Sequence, residues 1–147
     1  MNTTAATARY IGTTDDTTAC EHCGRVDLKM TVVLELLDAE GNGAGEVVYY
    51  GSTCAARALA PRGIRTTAAR VRFDAEVASR QTIERAEYAA NRLARYSGPD
   101  AVEMFRDSNR QWGTELRSVE WATKALAEMV EMWTAHLADA RLIGWAA

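Results

Sequence analysis

Three cysteines are the residues of this sequence whose type and spacing best suit chemistry. Cys20 and Cys23 are separated by two residues and followed by Gly24. Two thiolates on one tight turn can both face one ion, and glycine permits the positive φ that such a turn often requires. The spacing therefore predicts a zinc knuckle with Cys20 and Cys23 as ligands of Zn²⁺.

Cys54 is the third cysteine, and it lies where a short helix is expected to begin. It follows Gly51-Ser52-Thr53 and precedes an alanine-rich run that stops at Pro61. Because serine and threonine are good N-caps, Cys54 is expected in the first helical turn, where unpaired N–H groups and the helix dipole favour a thiolate. Cys54 is thus the third predicted zinc ligand.

The fourth ligand is open in the sequence. Structural zinc sites have four protein ligands, whereas three protein ligands and a water molecule describe an open site. His22, between the knuckle cysteines, is our candidate, and Asp15, Asp16 and His136 are the others. The alternative without a metal is three reduced thiols packed in a small core. An odd number of cysteines in a chain without an export signal argues against a disulfide framework.

Catalysis by Cys54 is a further possibility. A cysteine nucleophile needs a base within hydrogen-bond reach, and the histidines on offer are His22 and His136. The sequence contains no glycine-rich phosphate loop, no H-E-x-x-H or G-x-S-x-G motif and no convincing carboxylate pair. We therefore expect a protein that is not an enzyme, with Cys54-dependent activity as the less favoured alternative.

The segment between the knuckle and Cys54 predicts a β-hairpin. Residues 28–37 and 46–50 are rich in β-branched, aliphatic and aromatic side chains, and the glycine-rich segment 38–45 between them marks a turn. The order of knuckle, hairpin and helix resembles a treble-clef zinc finger over residues 20–60. In that family the helix supplies two ligands at C-x₂-C spacing, whereas the partner position of Cys54 here holds Arg57 or Gly51. The resemblance implies bound zinc with one family ligand missing.

A wider resemblance extends from Tyr10 to the end of the expected finger helix. The run YIGTTDD, followed by CEHCGR, DLKMTVVLE and YYGSTCAARAL, is similar to small uncharacterised proteins of actinobacteria and their phages. It implies a protein encoded by a phage or another mobile element.

Helices are expected in the rest of the chain. Residues 66–96 are rich in alanine, arginine and glutamate, with an apolar stripe at helical spacing, and Ser97-Gly98-Pro99 ends the segment. Between residues 102 and 140, apolar side chains recur every three or four positions and form a coiled-coil-like seam. Because the seam keeps its phase through Gly113, we favour an antiparallel hairpin of two helices over a three-helix bundle.

These elements predict an α+β fold in three parts. Residues 1–7 form a flexible N-terminus, residues 8–63 a zinc-finger-like domain, and residues 64–147 a helical, coiled-coil-like domain. No window approaches the roughly 20 apolar residues of a membrane span, so we expect no membrane association and a cytoplasmic protein.

The net charge of -3 conceals a basic middle. Residues 1–46 carry eight acids against three bases, residues 47–98 nine arginines against four acids, and residues 99–147 eight acids against five bases. Guanidinium groups suit phosphate, and an arginine cluster beside a zinc finger is a common arrangement for holding nucleic acid. The predicted nucleic-acid contacts are Arg57, Arg62, Arg65, Arg70 and Arg72. Pairing of these arginines with the acidic ends is the alternative.

A protein-binding adaptor or inhibitor is the competing prediction. The helical region would then present a surface to a protein partner or, through the seam, to a second copy of the chain. The acidic net charge fits this reading better than it fits a dedicated DNA-binding protein. The predicted interface residues are Trp121, Leu126 and Trp133.

Overall fold

The protein combines a small antiparallel sheet with helices, which confirms the expected α+β class. The computed structural model describes residues 8–60, 64–110 and 118–146, apart from the side chain of Ala44. The elements of these ranges are, in chain order, strands β1 (Ala8–Thr14), β2 (Thr31–Leu37) and β3 (Gly43–Tyr50) and helices α1 (Ser52–Leu59), α2 (Ala68–Arg95), α3 (Ala101–Arg110) and α4 (Val119–Leu142).

Strand β2 is the centre of the sheet, with β1 and β3 antiparallel on its two sides. Its first four residues, Thr31–Leu34, are buried, as expected for a strand paired along both edges. The predicted hairpin of β2 and β3 is present. Its turn is closed by the carboxylate of Asp38, whose Oδ1 accepts hydrogen bonds from the backbone N–H groups of Glu40 at 3.0 Å and Asn42 at 2.8 Å.

Strand β1 was not among the predicted elements. Its pairing with β2 is interrupted by a bulge, because Tyr10 lies opposite Leu34 and Gly12 opposite Val33, which leaves Ile11 without a partner in the ladder. Ile11 is nevertheless buried. The sheet therefore has three strands where two were expected.

The described residues divide into two compact units whose limits fall inside α2 and α4, whereas the predicted domain boundary lies between residues 63 and 64. The first unit extends to Ile83 and includes Asp139–Ala146, and the second comprises Glu84–Ala138. The core of the first unit joins the sheet to α1 and to the start of α2. Its main buried members are Val32, Leu34, Val48, Ala55, Leu59, Val71 and Ala75.

An arginine on β1 connects the sheet to the end of α4 within the first unit. The guanidinium of Arg9 donates from Nε to Glu35 at 2.8 Å and from Nη1 to Asp139 at 2.8 Å. Hydrogen bonding to Asp139 raises the pKa of Arg9, and Glu35 adds to the effect against the opposing influence of burial. Arg9 and Glu35 lie directly opposite each other in the ladder, so this contact is a cross-strand ion pair.

The second unit packs aromatic and small side chains of three helices together. Its buried residues are Ala89, Tyr96, Ala101, Phe105, Ala122, Leu126 and Trp133. Of the two helical arrangements considered from the sequence, the three-helix one is present in the described residues and the favoured hairpin of two long helices is not, because α4 begins as a separate helix with its own cap. Ser118 provides that cap, and its Oγ accepts a hydrogen bond from the backbone N–H of Trp121 at 3.1 Å.

The predicted seam, which includes Val119, Thr123, Leu126, Trp133 and Ala140, departs from the core at the start of α4. Val119 and Thr123 are exposed and Ala122, which is not a seam position, is fully buried, whereas Leu126, Trp133 and Ala140 are buried as predicted. Trp112 and Leu116, also on the seam, lie outside the described residues. In the described part of the chain, none of the helices has the length and apolar character needed to cross a bilayer.

Candidate metal centre

The predicted knuckle is a tight turn closed by backbone hydrogen bonds. The N–H of Gly24 donates to the carbonyl of Cys20 at 2.8 Å, and the N–H of Cys20 donates to the carbonyl of Arg25 at 2.9 Å. Gly24 has a φ of +74°, in the left-handed region that glycine adopts at little cost. The glycine after Cys23 therefore has the conformational role expected from the sequence.

Glu21 fastens this turn to the end of β3. Its backbone N–H donates to the carbonyl of Tyr49 at 2.9 Å, and its carboxylate Oε2 accepts from the N–H of Tyr49 at the same distance. Since β3 ends at Tyr50 and α1 begins at Ser52, this pair of bonds brings the knuckle beside the start of α1. Nothing in the spacing of the cysteines pointed to Glu21.

Helix α1 begins as expected, but with a different cap. Gly51 is the N-cap, with an extended backbone and no side-chain capping bond, so the predicted caps Ser52 and Thr53 already belong to the first turn. The carbonyl of Gly51 accepts the N–H of Ala55 at 2.8 Å, the first bond of the helix. Cys54 accordingly lies in the first turn, at its third residue.

The three cysteines converge on one point. The Sγ atoms of Cys20, Cys23 and Cys54 all lie within 4.8 Å of one another, and none of the three residues forms a disulfide. Thiolates bound to one zinc ion at about 2.3 Å in tetrahedral geometry are about 3.8 Å apart, so little movement is needed to close the group around an ion. The three thiols are close enough to hold a single metal ion.

The knuckle polarises one of these thiols more than the others. Burial raises the pKa of Cys20, but hydrogen bonds from the backbone N–H groups of Gly51, Cys23 and His22 outweigh it and lower the pKa to about 7. A sulfur that accepts several N–H groups is prepared to carry negative charge. Cys20 is also the buried cysteine of the group, whereas Cys23 is exposed, unlike a thiol packed in a core.

From the sequence we expected the helix N-terminus to favour the thiolate form of Cys54, but in the structure the pKa of Cys54 is raised. Burial, followed by hydrogen bonding to Cys23 and Cys20 and by the charges of those sulfurs, raises the pKa of Cys54 to about 11. Without a cation between the three sulfurs, Cys54 therefore keeps its proton. Like charges this close cannot all form unless a positive ion compensates them.

The candidate fourth ligands do not join the group. His22 is exposed, and its ring packs edge-on against Tyr50 with centroids 5.4 Å apart. Asp15 and Asp16 are exposed, and the carboxylate of Asp16 lies against Gly144. His136 belongs to the second unit. Among the described residues, the cluster of potential metal ligands contains the three cysteines and no histidine or carboxylate.

The predicted basic segment is exposed, but its arginines differ in their partners. Arg70 forms an ion pair with Asp74, at 2.9 Å from Nε to Oδ1, and its guanidinium lies over the ring of Phe73. Arg72 donates to the hydroxyl of Ser52 at 3.3 Å. The partner of Arg70 is thus an acid of its own helix and of the basic middle segment, and not one of the acidic ends that we considered as the alternative.

Arg57 and Arg65 are the remaining described members of the basic segment. Both are exposed, and neither has a hydrogen-bond or ion-pair partner among the described residues. Arg62 lies outside the described residues. The segment thus offers two uncommitted guanidinium groups, with Arg72 close to the start of α1.

The predicted interface residues are mostly interior. Leu126 is 6% exposed and Trp133 1% exposed, and both belong to the core of the second unit. Trp121 is partly buried and stacks on Phe105, with ring centroids 6.2 Å apart. The helical periodicity that marked Leu126 and Trp133 reflects packing inside the unit, because a buried stripe has the same spacing as an interface.

Comparison with known proteins finds no match: no family model, no curated protein and no solved structure is significantly similar to the chain. The site is therefore interpreted from its own geometry.

Proposed function

We propose that this is a non-enzymatic, zinc-stabilised binding protein whose finger, over residues 20–60, resembles a treble clef. The observation that supports it is the convergence of three sulfur atoms within 4.8 Å from two separate chain segments, the knuckle and the first turn of α1. Thiolates are the ligands that zinc prefers in structural sites. The fourth position would be filled by water or by a ligand that moves in when the ion binds.

A stabilising role fits the position of the cysteines. An ion shared by Cys20, Cys23 and Cys54 would tie the knuckle to α1, next to the end of β3. The knuckle contributes few buried apolar residues of its own, since residues 21–27 are all exposed. Metal binding contributes directly to folding free energy in such small regions.

Metal analysis of the purified full chain tests this proposal. We expect about one zinc ion per chain, which is lost in Cys23→Ser and in Cys54→Ser and retained in Thr53→Ala, an exposed neighbour in the same helical turn. Chelation should lower the melting temperature of the parent chain and of Thr53→Ala. Absence of zinc, together with unchanged melting in chelator, would contradict the proposal.

The same measurements address the fourth ligand. If His22 swings from Tyr50 to the ion, His22→Ala should weaken zinc binding, whereas the substitution is neutral if water completes the site. Cobalt substitution gives a second readout, because the d–d absorption of Co²⁺ distinguishes a histidine ligand from water in otherwise identical thiolate sites.

We propose further that the finger contacts nucleic acid through its arginine-rich segment. Arg57 on α1 and Arg65 after it are exposed and uncommitted, and the sequence between Glu46 and Asp74 contains no acid to neutralise them. Guanidinium groups bind phosphate through paired N–H donors, and such binding is strongest at low salt.

Fluorescence anisotropy with labelled duplex and single-stranded DNA tests this contact. We expect binding at about 20 mM salt that weakens steeply toward about 200 mM, and a weaker interaction for the double variant Arg57→Ala/Arg65→Ala. Arg80→Ala, an exposed arginine of α2 outside the segment, is the matched control. Absence of binding at low salt would overturn the nucleic-acid proposal and leave the metal proposal intact.

A further inference from the structure

A cavity of about 550 Å³ lies within the second unit, between the end of α2, α3 and α4. Its volume is in the range of small-molecule sites, which are about 300–1,000 Å³. The metal centre belongs to the first unit, so this cavity has no part in the function proposed above.

Aromatic rings form a large part of the cavity wall. Tyr96 stacks on Trp133 with centroids 5.9 Å apart and an interplanar angle of 8°, and it meets Phe105 edge-on at 5.7 Å. Trp121 stacks on Phe105, with ring centroids 6.2 Å apart. An aromatic wall of this kind favours a planar aromatic ligand.

The charged groups of the wall are mainly cationic. Arg92 and Arg95 both line the cavity, against Glu128 as the one acid of its described lining. Each guanidinium is held by an aromatic ring, Arg92 at 5.0 Å from the ring centre of Tyr88 and Arg95 at 5.5 Å from that of Tyr96. These contacts orient the cations without neutralising their charge.

A buried donor lacks an acceptor in the same wall. Trp133 is 1% exposed, and its Nε1 is buried with no hydrogen-bond partner among the described residues. A buried N–H without an acceptor is destabilising, so such groups are uncommon in folded proteins. An acceptor atom of a ligand would remove this cost.

We propose that this cavity binds a small planar aromatic anion, with its ring against the aromatic wall and the anionic group held by Arg92 and Arg95. A free aromatic carboxylate and a nucleotide, with its base and phosphate, share this chemistry. The indole N–H of Trp133 and the guanidinium groups of Arg92 and Arg95 are all hydrogen-bond donors. An anionic ligand, which accepts hydrogen bonds, therefore fits this site better than a cationic one.

Titration of the full chain with 2-naphthoate, monitored through the indole N–H signals in ¹H–¹⁵N spectra, tests the proposal. We expect a Kd of about 1 mM or below, a shift of the Trp133 indole signal, and binding of the neutral 2-naphthamide that is weaker by about tenfold. Adenosine 5′-monophosphate forms the second arm. Tighter binding of the nucleotide identifies a base with its phosphate as the ligand class, and tighter binding of naphthoate identifies a free aromatic acid.

Variants separate the site from nonspecific binding. Arg92→Gln and Arg95→Gln should each weaken naphthoate binding about tenfold while changing naphthamide binding little. Arg85→Gln, an exposed arginine on the same helix that does not line the cavity, is the control and should bind like the parent chain. Melting curves verify that each variant is folded.

Two results would overturn the proposal. One is the absence of binding by naphthoate and by the nucleotide up to about 10 mM, the outcome expected if the protein's own chain occupies the cavity. The other is binding that is equally weakened by Arg85→Gln, or that leaves the Trp133 signal unmoved, which would place the ligand elsewhere.

Discussion

The hydroxyl of Thr82 on α2 donates a 2.8 Å hydrogen bond to the carbonyl oxygen of Ile11 on β1. Ile11 is the bulged residue that has no partner in the ladder between β1 and β2, and both residues are buried. The helix therefore provides a hydrogen-bond donor to the carbonyl of the bulged residue. An unpaired buried carbonyl is costly, so this contact helps to fix both the bulge and the position of α2 against β1.

Replacement of Thr82 by valine should destabilise the protein. Valine keeps the branched shape but removes the donor, which leaves the Ile11 carbonyl unsatisfied at a cost of about 1–2 kcal/mol. Urea denaturation measures the change in the free energy of unfolding. Thr134→Val is the control, because its exposed hydroxyl bonds to a carbonyl within its own helix, and a comparable loss there would contradict the assignment.

Gly12 should tolerate no side chain. A Cβ at this position would lie 2.5 Å from the hydroxyl of Ser79 and 3.1 Å from its Cα, and 3.0 Å from a methyl group of Ile143. Since a backbone atom cannot move aside cheaply, Gly12→Ala should lower the free energy of unfolding by about 1–3 kcal/mol. Gly98→Ala introduces a Cβ into open space and should have little effect. Equal stability of the two variants would refute the close approach.

The ion pairs of Arg9 should make a modest, salt-dependent contribution. The Arg9 side chain is 41% exposed, so solvent screens its contacts with Glu35 and Asp139. We expect Arg9→Met to cost about 1 kcal/mol at low salt and less at 1 M salt. A double-mutant cycle with Asp139→Asn measures the coupling between these two residues, and a coupling of zero would show that the contact is not energetically significant.

Zinc binding should release protons, with a dependence that follows from the two shifted thiols. At pH 8, above the pKa of about 7 of Cys20, that thiol is already a thiolate, whereas Cys54, with a pKa of about 11, still carries its proton. Because zinc binds the thiolate, Cys54 must lose its proton and binding must release at least one proton per ion, so the zinc affinity should fall at least about tenfold per unit as pH is lowered from 8 to 7. Below about pH 7 the thiolate of Cys20 is protonated as well, so the zinc affinity falls more steeply with decreasing pH.

Calorimetry in two buffers that differ in ionisation enthalpy counts these protons. The parent chain should release about one proton more at pH 8 than Cys54→Ser does, if that variant retains measurable binding. Binding without proton release at pH 8 would show that Cys54 is not a ligand.

The sequence located the cluster of three cysteines more accurately than it located the sheet around it. Cys20 and Cys23 share one turn, and the pattern from Ser52 onward requires a helix start near Cys54, so local rules sufficed for these elements. Strand β1 was not predicted, because polar and apolar residues do not alternate clearly around Arg9, Tyr10 and Thr13. The bulge at Ile11 also interrupts the two-residue period that marks a strand.

Periodicity misled us in the second half of the chain. The seam keeps a constant phase in the sequence across Gly113, yet α3 and α4 are separate helices, and Ala122 is buried where Val119 is exposed. Spacing reports which residues share one face of a continuous helix. It does not report whether the helix is continuous, and the serine cap at Ser118 was the local signal that we missed.

The sequence by itself determined the α+β class, the knuckle with its glycine, the hairpin and the helix that carries Cys54, because these depend on turn chemistry and on the spacing of neighbouring residues. Only the tertiary structure decided which partners meet across long separations. It placed Cys54 beside the knuckle, Thr82 on the bulge at Ile11, and the aromatic and cationic side chains of the second unit around one cavity. Such contacts join segments that are far apart in the sequence. Local patterns of residue type do not show which of these distant segments pack together.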